Sequence, residues 1–117
     1  MALNQEDLIG KIKADIEKQD QARIYYAFKK MRFKPLHTAH IKMIKIALAC
    51  RKNGINVLTI ELIGSILNRH ANSIYVTLHN LRDKKILTYL REGTPHKNIR
   101  WVLSPEFIKA YGEDIIG

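Results

Sequence analysis

Residues 59–87, TIELIGSILNRHANSIYVTLHNLRDKKIL, decide the fold of this chain. Apolar residues recur at spacings of three and four on either side of a polar interruption, which predicts two helices joined by a tight turn. Thr59 and Glu61 are suited to the start of the first helix, and Asn68 is suited to its end because Asn tolerates left-handed backbone geometry. The buried side of the second helix is predicted to consist of Ile74, Leu78 and Leu81.

The sequence around this stretch predicts one longer helix before it and a hairpin after it. Thr38 can cap the longer helix, and Asn53 and Gly54 can end it, since both adopt left-handed geometry readily. Residues 86–91 and 99–103 are rich in β-branched and aromatic side chains, so they are predicted to form two strands joined by a basic loop. Ser104 and Pro105 are predicted to open a short last helix, with Pro105 at its first position.

The first 34 residues are predicted to form a helical arm. One helix follows Asn4 and carries an apolar stripe. Asp20 can cap a second helix, although residues 24–28 would also suit a strand. Pro35 disfavours helical geometry at the residue before it, so we expect two units, 1–34 and 35–117. The predicted fold class is mainly α with a small β-hairpin.

Positive charge is concentrated in the middle of the chain. The 117 residues include 20 Lys and Arg against 11 Asp and Glu, a net charge of +9. Residues 21–103 hold 16 of the basic residues and three acidic ones, a net of +13, whereas both ends are acidic. With 46% hydrophobic residues the chain can also build a core, which excludes a disordered polycation. A polyanionic partner fits this distribution, and a solvated lysine-rich surface is the alternative.

The order of helix, short helix, turn, helix and basic hairpin resembles the winged helix-turn-helix family over roughly residues 38–103. In that family a small residue of the first motif helix allows close packing, and Gly64 holds that place here. Asn68 stands at the turn, where Gly is usual. Two positions depart from the family pattern, because Arg69 replaces a common apolar residue and Lys85 replaces a frequent Gly. Within that family the chain resembles small MarR-like regulators and small viral or plasmid transcriptional regulators.

The resemblance implies sequence-specific binding of double-stranded DNA, with the second motif helix in the major groove. The residues on the outward side of that helix, which would meet base edges, are Asn72, Ser73, Tyr75, Val76, His79 and Asn80. Basic residues near the motif and on the hairpin, or wing, would contact phosphates. These residues are Arg69, Arg82, Lys84, Lys85, Arg91, His96, Lys97 and Arg100.

The resemblance also favours a homodimer that places two recognition helices on adjacent half-sites. The arm carries more apolar surface than a three-helix core needs, so its stripe is predicted to be the dimer interface. That stripe consists of Leu8, Ile9, Ile12 and Ile16. Packing of the arm against its own domain is the alternative.

A transcriptional regulator is the first functional hypothesis. A plasmid or viral DNA-binding protein for segregation or replication origins would use the same residues. A winged-helix module for protein interaction is the hypothesis from a different class, and the same exposed helix would then be a protein contact or an ordinary solvated face.

Other chemistry finds little support in the sequence. Cys50 is the single cysteine, so it can form neither an intramolecular disulfide nor a multi-cysteine metal site. His37 and His40 have no neighbouring carboxylate to complete a metal site, and no phosphate loop or carboxylate pair suggests catalysis. We therefore expect no enzyme activity, cofactor or metal. The lack of a long apolar run or a signal sequence favours a cytoplasmic protein without membrane contact.

Overall fold

In the computed structural model of the protein, which describes residues 5–31, 38–68, 71–90 and 100–112, six helices and a two-stranded sheet share one hydrophobic core. The helices are α1 (Gln5–Glu17), α2 (Gln21–Lys30), α3 (Thr38–Lys52), α4 (Ile60–Leu67), α5 (Ala71–Asp83) and α6 (Pro105–Tyr111). Strands β1 (Leu87–Leu90) and β2 (Arg100–Leu103) pair antiparallel, with Leu87 opposite Leu103. The predicted fold class, mainly helical with a small antiparallel sheet, is confirmed. Within the described ranges no helix is long and apolar enough to cross a lipid bilayer.

Helix α3 lies at the centre of the structure and is buried on almost every side. Its second half contributes five consecutive buried residues, 46–50. A helix with one apolar stripe buries only that stripe, so the burial of consecutive residues requires cover from several directions. The cover comes from α1 and α2, which precede α3 in the chain, and from α5, which follows it.

Helix α1 packs on α3 through the apolar stripe that the sequence predicted to be a dimer interface. Within a single chain Ile12 is fully buried and Ile16 is 4% exposed, while Leu8 and Ile9 are half-buried against the same core. The prediction is therefore corrected for Ile12 and Ile16, which pack inside their own chain. The physical reason is that α3 offers them apolar surface, and burying it within the chain needs no second molecule.

A largely buried polar contact joins α1 to the end of α3. Asp15 is 7% exposed, and its Oδ2 accepts a hydrogen bond of 2.8 Å from Asn53 Nδ2. The same Nδ2 donates to the backbone oxygen of Ala49 at 2.8 Å, and Lys52 Nζ lies 4.0 Å from Asp15 Oδ1. Because buried polar groups need defined partners, this contact fixes how far along α3 the first helix lies.

Helix α2 forms as predicted and connects the arm to the end of the chain. The Asp20 carboxylate caps it by accepting from the Arg23 N–H at 3.2 Å, which excludes the strand alternative. Arg23 Nε donates to the backbone oxygen of Tyr111 at 3.0 Å, and the Phe28 ring lies 6.2 Å from that of Phe107. Both predicted units therefore contribute to one core.

Helices α3 and α5 both end in a Schellman motif, a turn closed by hydrogen bonds across a residue with positive φ. At the end of α3 this residue is Gly54, with φ of +85°. At the end of α5 it is Lys85, with φ of +62°, and the next N–H, that of Ile86, donates to the oxygen of Leu81 at 3.0 Å. A side chain makes positive φ unfavourable, so Lys85 is strained where Gly54 is not.

Two contacts hold the sheet to the surrounding helices. The Ser104 hydroxyl donates to the backbone oxygen of Lys85 at 2.6 Å and accepts from the Phe107 N–H at 3.0 Å, which joins the end of α5 to the start of α6. Leu58, between α3 and α4, exchanges backbone hydrogen bonds of 2.7 and 2.8 Å with Trp101 on β2. These hydrogen bonds connect the ends of the two strands to α5 and α6, and β2 to the segment between α3 and α4.

The strain at Lys85 gives a stability prediction. We expect Lys85→Gly to raise the free energy of unfolding by about 0.5–1 kcal/mol, because Gly adopts positive φ without a steric cost. Lys84→Gly is the matched control, since Lys84 does not have positive φ. At that position Gly should lower the free energy of unfolding by a few tenths of a kcal/mol or more. Urea denaturation of the two variants measures both values. Equal destabilisation by the two substitutions would contradict the assignment of strain to Lys85.

Candidate nucleic-acid interface

The turn between α4 and α5 positions the candidate interface. Thr59 caps α4, its Oγ1 accepting from the Leu62 N–H at 3.1 Å. The helix ends at Asn68, which has φ of +54° and ψ of +49°, and the Asn68 N–H donates to the oxygen of Gly64 at 2.7 Å. The left-handed conformation predicted for Asn68 is confirmed. Helix α5 begins three residues later, at Ala71.

Helix α5 has one buried side and one exposed stripe. The residues predicted to be buried, Ile74, Leu78 and Leu81, are 2% exposed or less. Ser73, Val76 and Asn80 are exposed and lie three and four positions apart, so they form one line along the helix. Val76 is 58% exposed, which leaves an apolar branched side chain in solvent in the middle of this line.

His79 does not lie on the exposed stripe, which corrects its predicted outward orientation. Its ring lies 5.2 Å from that of Trp101 on β2, edge to face, and 4.1 Å from that of Tyr75. Tyr75 and His79 are both half-buried, and His79 Nε2 is buried. The reason is packing, because the sheet presents a fully buried indole to this side of α5 and aromatic rings gain by edge-to-face contact. Tyr75 therefore borders the stripe, and His79 belongs to the contact between α5 and the sheet.

Several basic residues predicted to contact phosphates surround the C-terminal end of α5. The Arg82 guanidinium lies 4.7 Å from the centre of the Tyr89 ring on β1, a cation–π contact that orients an exposed cation. Lys85 and Arg100 are exposed, and Lys84 is half-buried. Asp83, at the last position of α5, is the one acidic residue of that helix. The exposed face of α5 therefore carries no negative charge before its end.

Some predicted site residues lie outside the residues that the structure describes. They are Arg69, in the turn, and Arg91, His96 and Lys97, in the predicted wing loop. Asn72 lies in the first turn of α5, but its side chain is outside the described set.

The structure also brings together residues that sequence reasoning missed. A cleft of about 220 Å³ lies between α3 and the first half of α5, and it is lined by hydroxyl groups and a lysine above apolar side chains. The polar lining residues are Thr38, Lys42, Ser73 and Thr77. Lys42 is exposed between the buried residues Ile41 and Met43, and the sequence shows it as a lysine between two apolar residues. The sequence does not indicate that Lys42 lies beside α5, because that position depends on helix packing.

Cys50 lies in the core and not in a site. It is fully buried, and desolvation raises the pKa of its thiol from 9.0 to about 12. A thiol with this pKa stays protonated near neutral pH and is a poor nucleophile. Within the described ranges no three His, Cys, Asp or Glu residues form a group that could hold a metal ion.

Comparison of the chain with known protein families, with curated proteins and with solved structures found no match.

The packing of His79 gives a test of its corrected orientation. Replacing His79 with Ala removes two ring contacts and should lower the free energy of unfolding by about 1–2 kcal/mol, whereas His79→Phe should restore most of it. Asn80→Ala, next to it on the exposed stripe, should change stability by less than about 0.5 kcal/mol. Thermal or urea unfolding of the three variants measures this difference. Similar small effects at both positions would show that His79 is exposed.

The raised pKa of Cys50 predicts a pH dependence of stability. Its folded pKa of about 12 exceeds the unfolded value of 9.0, so the folded state keeps a proton that the unfolded state releases. The contribution of the Cys50 thiol to the free energy of unfolding is fully present below pH 9 and is lost as the pH rises toward 12. The wild-type protein should therefore lose its stability advantage over Cys50→Ala in this range, as measured by denaturation at several pH values. A constant difference between the two proteins would contradict the burial of the thiol.

Proposed function

We propose that this protein is a winged helix-turn-helix DNA-binding protein that inserts α5 into the major groove of double-stranded DNA and acts as a small transcriptional regulator. The observation that carries the proposal is the exposed stripe of α5, Ser73, Val76 and Asn80, which has no acidic residue before Asp83 at the end of the helix and borders a group of cations. Such a helix has the width and the side chains that major-groove recognition requires.

The fold supports this proposal through the order of its elements. Helix α4, a left-handed residue at Asn68 and helix α5 follow one another in the way a helix-turn-helix motif requires. Two antiparallel strands follow α5, in the place that the wing takes in the resembling family. The proposed wing contacts of Arg91, His96 and Lys97 rest on the sequence alone.

The stripe residues differ in what they can recognise. The Asn80 amide can donate to and accept from one adenine edge, which makes it the strongest candidate for base specificity. Val76 can contact the methyl group of thymine, and the Ser73 hydroxyl can bond to a base or a phosphate. Tyr75 lies beside the stripe and would contact sugar or backbone at its edge.

The cations around the stripe would supply affinity and orientation. Arg82, Lys84, Lys85 and Arg100 are proposed to contact phosphates, together with Arg69 in the turn. Contacts of this type are independent of sequence and weaken with salt, because each one releases counterions from the DNA.

We further propose that two copies of the protein occupy adjacent half-sites on the DNA. Their interface would involve residues other than Ile12 and Ile16, which pack inside their own chain. The protein is proposed to act on DNA in the cytoplasm.

Two substitutions separate base recognition from phosphate contact. Asn80→Ala should reduce discrimination at one base pair by about 1–3 kcal/mol and leave nonspecific affinity nearly unchanged. Lys85→Gln should weaken binding to every sequence alike and make the slope of log K against log salt less steep by about 0.9. Sites selected from random duplex DNA, followed by titration at several salt concentrations, provide both measurements.

The wild-type protein serves as the reference for this experiment. With six to ten phosphate contacts its affinity should fall by a factor of about 10³–10⁵ between 50 and 200 mM salt. The absence of duplex binding at the lower salt concentration would reject DNA binding and favour a protein-interaction module.

A further inference from the structure

We propose that the DNA-contact surface extends beyond α5, across α3 and onto α2, where Lys42, Lys45 and Tyr25 hold a second stretch of the DNA backbone. The inference rests on the proposed function and adds to it a binding face on the N-terminal arm, outside the helix-turn-helix motif. It gives the arm a role in DNA contact.

Two clefts make this surface continuous. The cleft of about 220 Å³ between α3 and α5 is bordered by Ser73 on α5. A second cleft of about 170 Å³ lies between α3 and α2 and is bordered by Tyr25 and Lys45. Thr38 and Lys42 line both clefts. A DNA backbone lying along these shared residues would pass from Ser73 on α5 to Tyr25 on α2.

The electrostatic character of this path is positive. Residues 21–60 hold nine Lys and Arg and no Asp or Glu. On the path itself Lys42 is exposed and Lys45 is half-buried, and Glu17 of α1 lines the second cleft as its one acidic residue. Clefts lined mainly by one sign of charge concentrate the field, which favours a polyanion over a neutral partner.

Hydrogen bonds on α2 and α3 arrange the polar groups at the far end of the path. Lys45 Nζ donates to Gln21 Oε1 at 3.1 Å, and Gln21 Nε2 donates to the Tyr25 hydroxyl at 3.4 Å. The Tyr25 oxygen accepts in the second of these bonds, so the hydroxyl can donate its own proton to a phosphate oxygen. Lysine and tyrosine are common phosphate contacts in protein–DNA complexes. Tyr25 itself is 38% exposed.

The dimensions of the path suit a DNA strand. From Thr38 to Lys45 the helix rises about 10 Å, at 1.5 Å per residue, which corresponds to roughly three base-pair steps. Lys29 lies one turn beyond Tyr25 on the same side of α2 and is exposed, which continues the positive surface. An acidic protein could also meet this charge, but continuity with the proposed base-contacting stripe favours DNA.

The test compares two double variants with equal loss of charge. Lys42→Gln with Lys45→Gln should make the slope of log K against log salt less steep by about 1.8, since two phosphate contacts are lost, and should weaken binding at least tenfold near 0.1 M salt. Lys11→Gln with Lys109→Gln is the control, because these exposed lysines line neither cleft. The control should retain the wild-type slope.

A third variant and a footprint make the test independent of overall charge. Tyr25→Phe removes one hydroxyl and should lower affinity about fivefold without changing sequence preference. Hydroxyl-radical footprinting of the wild-type complex should show backbone protection that shortens by a few base pairs in the Lys42/Lys45 variant. Unfolding curves confirm that each variant is folded.

The outcomes separate this inference from the proposed function. If the wild-type protein binds duplex DNA and the Lys42/Lys45 variant keeps both its salt slope and its footprint, the extension onto α2 is wrong while DNA binding by α5 stands. If that variant loses sequence preference and retains the slope, the extension is also wrong. If the wild-type protein binds no duplex DNA, both proposals fail.

Discussion

The burial of α3 on almost every side is the condition on which the other elements depend. Five consecutive residues, 46–50, are buried, and no single neighbour can cover them. Helices α1 and α2 cover one part and α5 another, so segments that precede and follow α3 in the chain stabilise the same helix. A fragment cut at Pro35 would leave apolar surface of α3 in water. The arm and the motif are therefore best regarded as one folding unit.

Helix α5 has to satisfy packing and recognition at the same time. Ile74, Leu78 and Leu81 attach it to the core, and His79 attaches it to the sheet through Trp101. What remains for contact with a partner is a stripe one residue wide. The proposed specificity of the protein thus depends on few side chains, and their spacing is fixed by the positions that packing already occupies.

Features set by one turn of backbone could be predicted from the sequence. The caps at Asp20 and Thr59, the helix start at Ser104 and Pro105 and the left-handed residue at Asn68 depend on neighbours within four positions, and all four were predicted. Periodicity likewise identified the buried side of α5, because a helix repeats its faces regularly.

Features set by contact between distant segments could not be predicted in this way. The inward orientation of His79 depends on Trp101, 22 residues later, and the burial of Ile12 depends on α3. The cleft beside Lys42 arises only when α3 and α5 lie side by side. For the same reason an apolar stripe on α1 was compatible with two partners, its own core or a second chain.

The rigid setting of α3 has an entropic consequence for the proposed interface. Lys42 and Lys45 extend from a helix whose backbone is already ordered by the core on several sides. Engaging a ligand would then restrict only their side chains, at about 0.5–1.5 kcal/mol each, whereas ordering a loop costs about 1–2 kcal/mol for every residue. Packing of α3 in the core would thereby reduce the free-energy cost of binding, because the backbone positions of Lys42 and Lys45 are fixed before a ligand binds.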